Sequence, residues 1–146
     1  MEPYQSGIAA RVSYTGKRTI PAKIVAVLKG MLEDRGLKII FPRSRVVRLH
    51  DVVELMTTTQ KECKPGDRVD RVTYIGFAEM EVSGVLHVGD QVVHKGEVRW
   101  TIVGFDETHY PNHLNVIMKS VSEQAESLSE VQLEDVIEFQ FKAPDR

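Results

Sequence analysis

Residues 84–105 read GVLHVGDQVVHKGEVRWTIVGF, and this stretch decides the fold class. Short runs rich in Val and Ile are separated by Gly-Asp and Lys-Gly, which are pairs typical of tight turns. In the last run, Trp100 and Ile102 alternate with Arg99 and Thr101, as expected for a strand whose successive side chains point to opposite faces. The stretch therefore predicts short strands joined by tight turns.

Runs of the same kind lie on both sides of this stretch. They are separated by turn residues such as Pro42 and the pair His50-Asp51. Many short strands at this spacing predict a mainly-β protein, either an antiparallel barrel or a sandwich. The runs are LKIIF (37–41), RVVRL (45–49), VVELM (52–56), VTYIGF (72–77), LNVIMK (114–119) and DVIEFQF (135–141).

Residues 20–36, IPAKIVAVLKGMLEDRG, have a different period. Their apolar side chains recur at three- and four-residue spacing, which predicts one N-terminal amphipathic helix. Pro21 suits the first turn of that helix, and Gly36 suits a left-handed C-terminal stop. The alternation from Ile8 to Tyr14 predicts a short strand ahead of the helix. The apolar residues of the predicted helix are Ile24, Val25, Val27, Leu28, Met31 and Leu32.

The composition is that of a soluble globular protein, with 42% apolar and 27% charged residues. A chain of 146 residues fits one domain, residues 1–146. Within it we expect an N-terminal strand and helix segment over residues 1–60 and a barrel core over residues 65–142. The net charge of −2 gives no global field for nucleic acid or an anionic membrane, so neither is an expected partner.

Cysteine content and hydropathy bear on the compartment. Cys63, the one cysteine, excludes an internal disulfide and a zinc site with several cysteines. No apolar run approaches the roughly 20 residues needed to span a bilayer. The N-terminal residues MEPYQSGIAARV lack the apolar core of a secretory signal. We therefore expect a cytoplasmic protein without membrane insertion.

The pattern x-Gly-Asp-x-Val occurs at residues 65–69 and 88–92, with a weaker third copy at 133–136. Glycine permits a tight turn with positive φ, and the aspartate carboxylate can accept hydrogen bonds from nearby backbone N–H groups. Such turns recur in small barrels whatever their function. The pattern therefore predicts strand entrances and indicates scaffold.

His109 and His113, in the sequence HYPNH, have a spacing found in some zinc sites. Pro111 excludes a helical turn that would bring both imidazoles to one face, although a loop could do so with His87 or Glu79 as third ligand. A polar turn between two strands is the favoured interpretation. We therefore expect no metal and no cofactor.

Arg43 and Arg45, in the basic stretch PRSRVVRLHD (42–51), share one strand face and could bind a phosphate. A solvated strand face is the favoured interpretation, because the chain is not basic overall and the stretch has no interleaved aromatic residues. The sequence contains no phosphate loop, dinucleotide-binding glycine motif, nucleophile elbow or zinc-protease motif. An ordinary enzyme is therefore not indicated.

The run EVSGVLHVGD (81–90), followed by VRWTIVG (98–104), resembles part of the IIA component of the glucitol/sorbitol phosphotransferase system. That family has E-L-x-G-x-L-x-x-G there, and then a strand ending in V-x-x-V/I-G. The resemblance covers residues 72–141. It implies a closed antiparallel β-barrel and a cytoplasmic phosphocarrier, in which a histidine accepts a phosphoryl group from the histidine phosphocarrier protein and passes it to a membrane-bound sugar permease.

The sequence departs from this family at the reactive centre. The family histidine belongs to an I-H-x-H-G motif, and the aligned residues here are Gly76 to Met80. Phe77 stands where the acceptor would be, and Glu79 stands where the second histidine would be. Phenylalanine has no nucleophilic nitrogen, so the family's reaction cannot proceed at this position.

The resemblance and this departure together predict a non-phosphorylating relative that binds a small ligand or regulates a partner. We expect a shared pocket formed by Phe77, Glu79, His87 and Trp100, with Trp100 stacking on a sugar or planar ligand. His94, near the hairpin tip at Lys95-Gly96, is expected to be solvated.

Two alternatives remain open. In the first, phosphotransfer survives at a relocated histidine, with His87 as the best candidate and His109 or His113 as reserves. In the second, the protein is an assembly subunit that forms homo-oligomers through strand edges and the N-terminal helix.

Overall fold

A computed structural model describes residues 13–122 and 131–142, and within these residues it contains twelve strands and no helix. The predicted mainly-β class is confirmed. The strands are β1 (Ile20–Val27), β2 (Met31–Leu32), β3 (Leu37–Lys38), β4 (Ser44–Val47), β5 (Val52–Thr57), β6 (Arg68–Val69), β7 (Val72–Met80), β8 (Gly84–His87), β9 (Gln91–His94), β10 (Glu97–Asp106), β11 (Leu114–Ser120) and β12 (Val136–Gln140).

Seven of these strands form a closed barrel, as predicted. The order is β1-β12-β9-β10-β11-β5-β7, and β7 pairs with β1 to close the ring. The prediction that every pair is antiparallel is wrong at one place, because β11 and β5 are parallel from Leu114↔Val53 to Met118↔Thr57. The reason is geometric. Strand directions cannot alternate all the way around a ring of seven, so at least one neighbouring pair must run the same way.

The predicted N-terminal helix is wrong. Residues 20–27 form barrel strand β1, in which Ile20, Ala22 and Ile24 are buried at period two. A β-bulge between Ile24 and Ala26 then shifts the alternation, so the apolar spacing across the whole segment imitates a helical period. Pairing with β7 on one side and β12 on the other overrides the local preference. Gly36 does have a positive φ of 71°, but it lies in the loop directly before β3.

The predicted strand over residues 8–14 falls mostly outside the described residues, and Tyr14 itself is not in a strand. The barrel takes β1 and β5 from residues 1–60 and its other five strands from residues 65–142. The barrel therefore draws on both of the predicted segments. In the described part of the chain, no helix is long and apolar enough to cross a membrane.

Two clusters account for the buried apolar side chains. The first fills the barrel and includes Trp100, Phe105 and Phe139. The second lies against the outside of the barrel, where the paired strands β3 and β6 cover Met56 of β5 and Ile117 of β11. Strands β5 and β11 are therefore buried on both faces.

The repeated Gly-Asp turns have the predicted geometry. The carboxylates of Asp67, Asp90 and Asp135 each accept the backbone N–H of the residue three positions earlier, at 2.8, 2.9 and 2.9 Å. Each aspartate N–H donates back to that same residue's carbonyl. Asp51 forms a fourth copy that the sequence pattern did not reveal. In all four, the residue before the aspartate has positive φ, namely Gly66, Gly89, Glu134 and His50.

Glu134→Gly is expected to stabilise the protein by up to about 1 kcal/mol. Glu134 has a φ of 75°, a conformation that strains any residue with a Cβ, whereas glycine adopts it freely. Its ion pair with Lys23 is 3.8 Å long and exposed, so its loss costs little. Urea unfolding measures the change, and Glu134→Ala is the control. If alanine stabilises as much as glycine, backbone strain is not the cause.

Candidate functional site

The four residues predicted to share a pocket do not lie together. Phe77 and Glu79 point away from the barrel interior, because they alternate along β7 with the core residues Ala78 and Met80. Trp100 is inside the barrel and only 2% exposed. The barrel wall therefore separates Trp100 from the predicted Phe77 and Glu79 site.

On the outer face, each of these two side chains has a histidine neighbour. The Phe77 ring meets the His113 ring edge-on, with centroids 5.1 Å apart. Glu79 Oε2 lies 2.8 Å from Nδ1 of His50. Neither Phe77 nor Glu79 lines either of the two clefts described for the molecule.

His87 lies on β8, a strand outside the barrel that pairs with β4. Its Nδ1 is 2.6 Å from the carbonyl oxygen of Val88, so Nδ1 carries the hydrogen and donates it. The Tyr14 ring packs edge-on against the imidazole at 5.2 Å. His87 is half-buried and does not line the cleft that Trp100 lines.

His109 and His113 do come together, with ring centroids 5.2 Å apart. However, Nε2 of His113 bonds to Glu54 at 3.0 Å, and Nε2 of His109 bonds to Arg35 at 2.6 Å. Among residues 13–122 and 131–142, no group of three or more His, Cys, Asp or Glu side chains is placed to hold a metal ion. His109 lies within a turn over residues 108–112, and His113 follows it directly.

His94 is buried, and the prediction that it is solvated is wrong. The tight turn at Lys95-Gly96 is present, with φ values of 53° and 78° that suit a two-residue hairpin. However, β9 pairs with β10 on one side and with β12 on the other, so its last residue remains inside the barrel wall. Only 3% of His94 is exposed.

A β-bulge brings a charged residue into the barrel beside Trp100. Val98 pairs with Val93 and Trp100 pairs with Val92, which leaves Arg99 as the extra residue. The side chains of Arg99 and Trp100 are consequently both buried, and the guanidinium carbon lies 4.4 Å from the centre of the indole ring. Strict alternation along β10 would have placed Arg99 on the outside.

His94 links this guanidinium to a carboxylate. Arg99 Nη1 lies 3.0 Å from His94 Nδ1, and His94 Nε2 lies 2.8 Å from Asp135 Oδ2. A guanidinium has only donors, so His94 Nδ1 accepts and its Nε2–H donates to Asp135. The imidazole also stacks on Trp100, with centroids 6.3 Å apart. We call Asp135, His94 and Arg99 the buried triad.

Charge and burial shift the pKa values at the two ends of the buried triad. The pKa of the Asp135 carboxyl is lowered, first by the backbone N–H of Gln132 and then by the hydrogen bond from His94. The pKa of the Arg99 guanidinium is lowered because burial disfavours its charge. The triad therefore has a carboxylate end near the surface and a buried cationic end.

Arg99 and Trp100 line a cleft of about 500 Å³. Its other walls come from the ends of β1, β5 and β11 and from the start of β7, which meet at one end of the barrel. The described lining contains three cations, six hydroxyl-bearing side chains and no carboxylate. The lining residues are Leu28, Lys29, Gly30, Met31, Thr57, Thr58, Thr59, Arg71, Thr73, Tyr74, Ile75, Arg99, Trp100, Ser120 and Val131.

The sequence is similar to one described family over residues 14–140, a range that contains every strand and every lining residue of the cleft. The chain belongs to the Family of unknown function (DUF6917). No curated protein and no solved structure matches it. The family description states no activity.

Proposed function

We propose that the protein is a small-ligand-binding module whose site is the cleft at the end of the barrel. The observation that carries this proposal is the placement of a buried guanidinium and an indole ring, Arg99 and Trp100, in an open cleft of about 500 Å³. Ligand sites in proteins usually have volumes of about 300–1,000 Å³ and combine apolar walls with a few polar groups. The arrangement suits ligand binding better than catalysis, because both ring nitrogens of His94 already form hydrogen bonds within the buried triad.

The proposed site differs from the one expected from the sequence. Trp100 remains part of it, whereas Phe77, Glu79 and His87 do not. A distant relationship to the glucitol/sorbitol IIA component also remains a proposal. It is supported by β8, β9 and β10, which lie within the stretch that carries the resemblance, and by the positive φ of Gly89 at the turn between β8 and β9. A cytoplasmic location is likewise a prediction, and cell fractionation would check it.

A cleft-filling variant tests the ligand site. Thr73 is exposed and lines the cleft, so Thr73→Trp should occupy it without disturbing the core. Compounds that raise the melting temperature of the parent protein should lose that effect in this variant. Thr19→Trp is the matched control, because Thr19 is exposed and does not line the cleft. Compounds that bind the parent and Thr73→Trp equally well would refute the proposed site.

A second candidate is phosphotransfer at His87. The bond from Nδ1 to the Val88 carbonyl favours it, because this bond leaves the Nε2 lone pair as the nucleophilic nitrogen. Incubation with the upstream phosphocarriers and labelled phosphoenolpyruvate should then label the parent protein but not His87→Gln. His50→Gln is the control, since His50 also has its Nδ1 hydrogen-bonded. Undiminished labelling of His87→Gln would exclude His87.

A third candidate is self-association, now through a strand edge. The predicted helix that first motivated it is absent, but β2 pairs with only one strand of the barrel sheet among the described residues. Met31 and Leu32 on this edge are 55% and 44% exposed. Light scattering over a range of concentrations should show oligomers of the parent and not of Leu32→Lys. A monomer at every concentration would exclude this candidate.

A further inference from the structure

We infer that the free edge of strand β4 binds an extended acidic peptide segment of a partner protein, which adds to it as a further strand. The edge belongs to the two-stranded sheet of β4 and β8, which is separate from the barrel sheet. Residues of β4 line a second cleft of about 350 Å³, which shares no lining residue with the proposed ligand cleft. The inference therefore concerns a surface that the proposed function does not use.

The register of β4 and β8 determines which backbone groups of β4 point to the free edge. Val88 N–H donates to the Arg43 carbonyl at 2.9 Å, one position before the first strand pair, Ser44↔His87. Hydrogen-bonded and non-hydrogen-bonded pairs alternate in an antiparallel ladder, so Ser44 and Val46 direct their N–H and C=O groups away from β8. In the part of the chain that the structure describes, no group bonds to the N–H or C=O of Val46.

The two edges of this small sheet differ in how they are covered. On β8, Lys17 Nζ bonds to the Val85 carbonyl at 3.1 Å, and Asp90 accepts the His87 N–H at 2.9 Å. Lys17 and Asp90 also form an ion pair, and their side chains are only 5% exposed. On β4, the outward groups belong to Val46, which is 72% exposed. An uncovered edge of this kind is a template for another strand, whereas the β8 edge is closed.

The second cleft gives an added strand a wall to pack against. Residues 45–48 of the β4 region and residues 110–114 both line it. Arg45 bonds to Glu107 at 2.6 Å and stacks on the Tyr110 ring at 4.5 Å, so this wall is fixed before a peptide arrives. Because successive side chains of a strand point to opposite faces, every second side chain of the added strand would face the cleft.

Charge favours an acidic partner. The Arg48 side chain lines the second cleft and is 85% exposed. Its guanidinium lies 3.9 Å from Asp51, whose carboxylate instead accepts the backbone N–H of Arg48 at 2.7 Å. Such a long, exposed ion pair contributes little, so the guanidinium can turn to a carboxylate of the peptide. Val46 and Arg48 share one face, which suits a peptide with an apolar residue opposite Val46 and an acidic residue two positions away.

A second copy of the chain fits this edge less well. Pairing two β4 edges would bring together the basic stretches of both copies, which contain Arg43, Arg45 and Arg48. Like charges on neighbouring strands destabilise a sheet, whereas carboxylates at the same positions are attracted. The charge of the edge therefore selects a partner of opposite sign.

Three labelled octapeptides test the inference with the parent protein. The first has threonine at every second position, with valine and glutamate alternating between the threonines. The second has proline in place of every valine and threonine, and the third has lysine in place of glutamate. In fluorescence polarisation, the first should bind at least about tenfold more tightly than the others, because proline has no N–H for the edge and lysine reverses the charge. Its affinity should fall as salt rises.

Each peptide result decides one part of the inference. Equal binding of the proline peptide would overturn strand addition, because that peptide keeps the charge and lacks most of the backbone donors. Equal binding of the lysine peptide would overturn the acidic partner. Failure of all three peptides to bind would overturn the inference as a whole.

Variants locate the binding edge. Val46→Pro should weaken the first peptide at least about tenfold, since it removes an edge N–H. That N–H points away from β8, so the ladder between β4 and β8 should persist. Val46→Thr keeps the N–H and should bind as the parent does. Undiminished binding by Val46→Pro would overturn the proposed edge, and oligomers of the parent that Val46→Pro disperses would identify a second copy as the occupant instead.

A charge variant keeps the test decisive if Val46→Pro is unstable. Arg48→Met should weaken the first peptide severalfold and reduce its salt dependence, because the guanidinium is lost from an exposed position. Lys64→Met is the matched control, since the Lys64 side chain is 78% exposed and does not line the second cleft. Equal effects of the two changes would show that the peptide senses only the overall charge of the protein, which would overturn the inference.

Discussion

Gly76→Ala is expected to lower the free energy of unfolding by about 3–5 kcal/mol, the sum of a steric and a conformational cost. Gly76 lies on β7 opposite Val27 of β1, at the pairing that closes the barrel. A Cβ at this position would lie 2.2 Å from the carbonyl oxygen of Ala26, which is backbone and cannot rotate away. The φ of 154° is also a conformation that residues with a side chain rarely adopt.

Gly30→Ala is the matched control for this prediction. Gly30 has a similar φ of 146°, but a Cβ there would meet no atom within 4 Å. The control should therefore show only the conformational cost, about 1–3 kcal/mol. Urea unfolding of both variants measures the difference, which isolates the contact at the barrel closure. Equal destabilisation of the two variants would show that this contact does not matter.

The period of two along the chain was sufficient to predict a mainly-β barrel or sandwich, because each strand buries alternate side chains. Only the resemblance to the glucitol/sorbitol IIA component favoured the closed barrel. It was insufficient for β1, where the bulge after Ile24 and the interruption between β1 and β2 at Gly30 made a strand resemble a helix. The parallel pairing of β11 with β5 also could not be predicted from the sequence. It follows from the number of strands in the ring, and no local pattern reports that number.

The same limitation explains why the candidate site was misplaced. Trp100 was predicted to contact a ligand, and it does line the cleft. Arg99 was missed because one extra residue at the bulge reverses its face, and the sequence around it has no signal for a bulge. His94 was expected to be exposed to solvent because it precedes a tight turn. It is covered instead by β12, a strand that begins more than 40 residues later in the chain and pairs with β9. Local periodicity does not predict such long-range pairings.

The buried triad should contribute to stability as well as to the cleft. Asp135→Ala removes the acceptor for His94 Nε2–H and for Gln132 N–H at the same time, since both bond to Oδ2. His94 is only 3% exposed, so its N–H would lose its partner in a place that water barely reaches. We expect a loss of about 2–4 kcal/mol at neutral pH. Asp135→Asn keeps an acceptor but loses the charge, so it should cost less than alanine.

The contribution of Asp135 should depend on pH in a defined direction. The pKa of its carboxyl is lowered in the folded protein, so folding is favoured by the ionised form. The resulting stability is fully present at neutral pH, above the ordinary aspartate pKa of about 3.9. It is lost as the pH falls through the lowered value. The stability difference between the parent and Asp135→Asn should therefore be largest at neutral pH and shrink below about pH 4.

Asp67→Asn is the matched control for this prediction, because Asp67 forms the same turn without a histidine. Its carboxylate accepts the N–H of Lys64 as that of Asp135 accepts the N–H of Gln132. Urea unfolding of the parent and both asparagine variants between pH 7 and pH 3 separates the contribution of the turn to stability from that of the buried triad. Asp135→Asn should be the more destabilised at neutral pH, because only that change removes the negative end of a network reaching Arg99. If the two asparagine variants lose the same stability with the same pH profile, the aspartate serves the turn alone and the buried triad adds nothing.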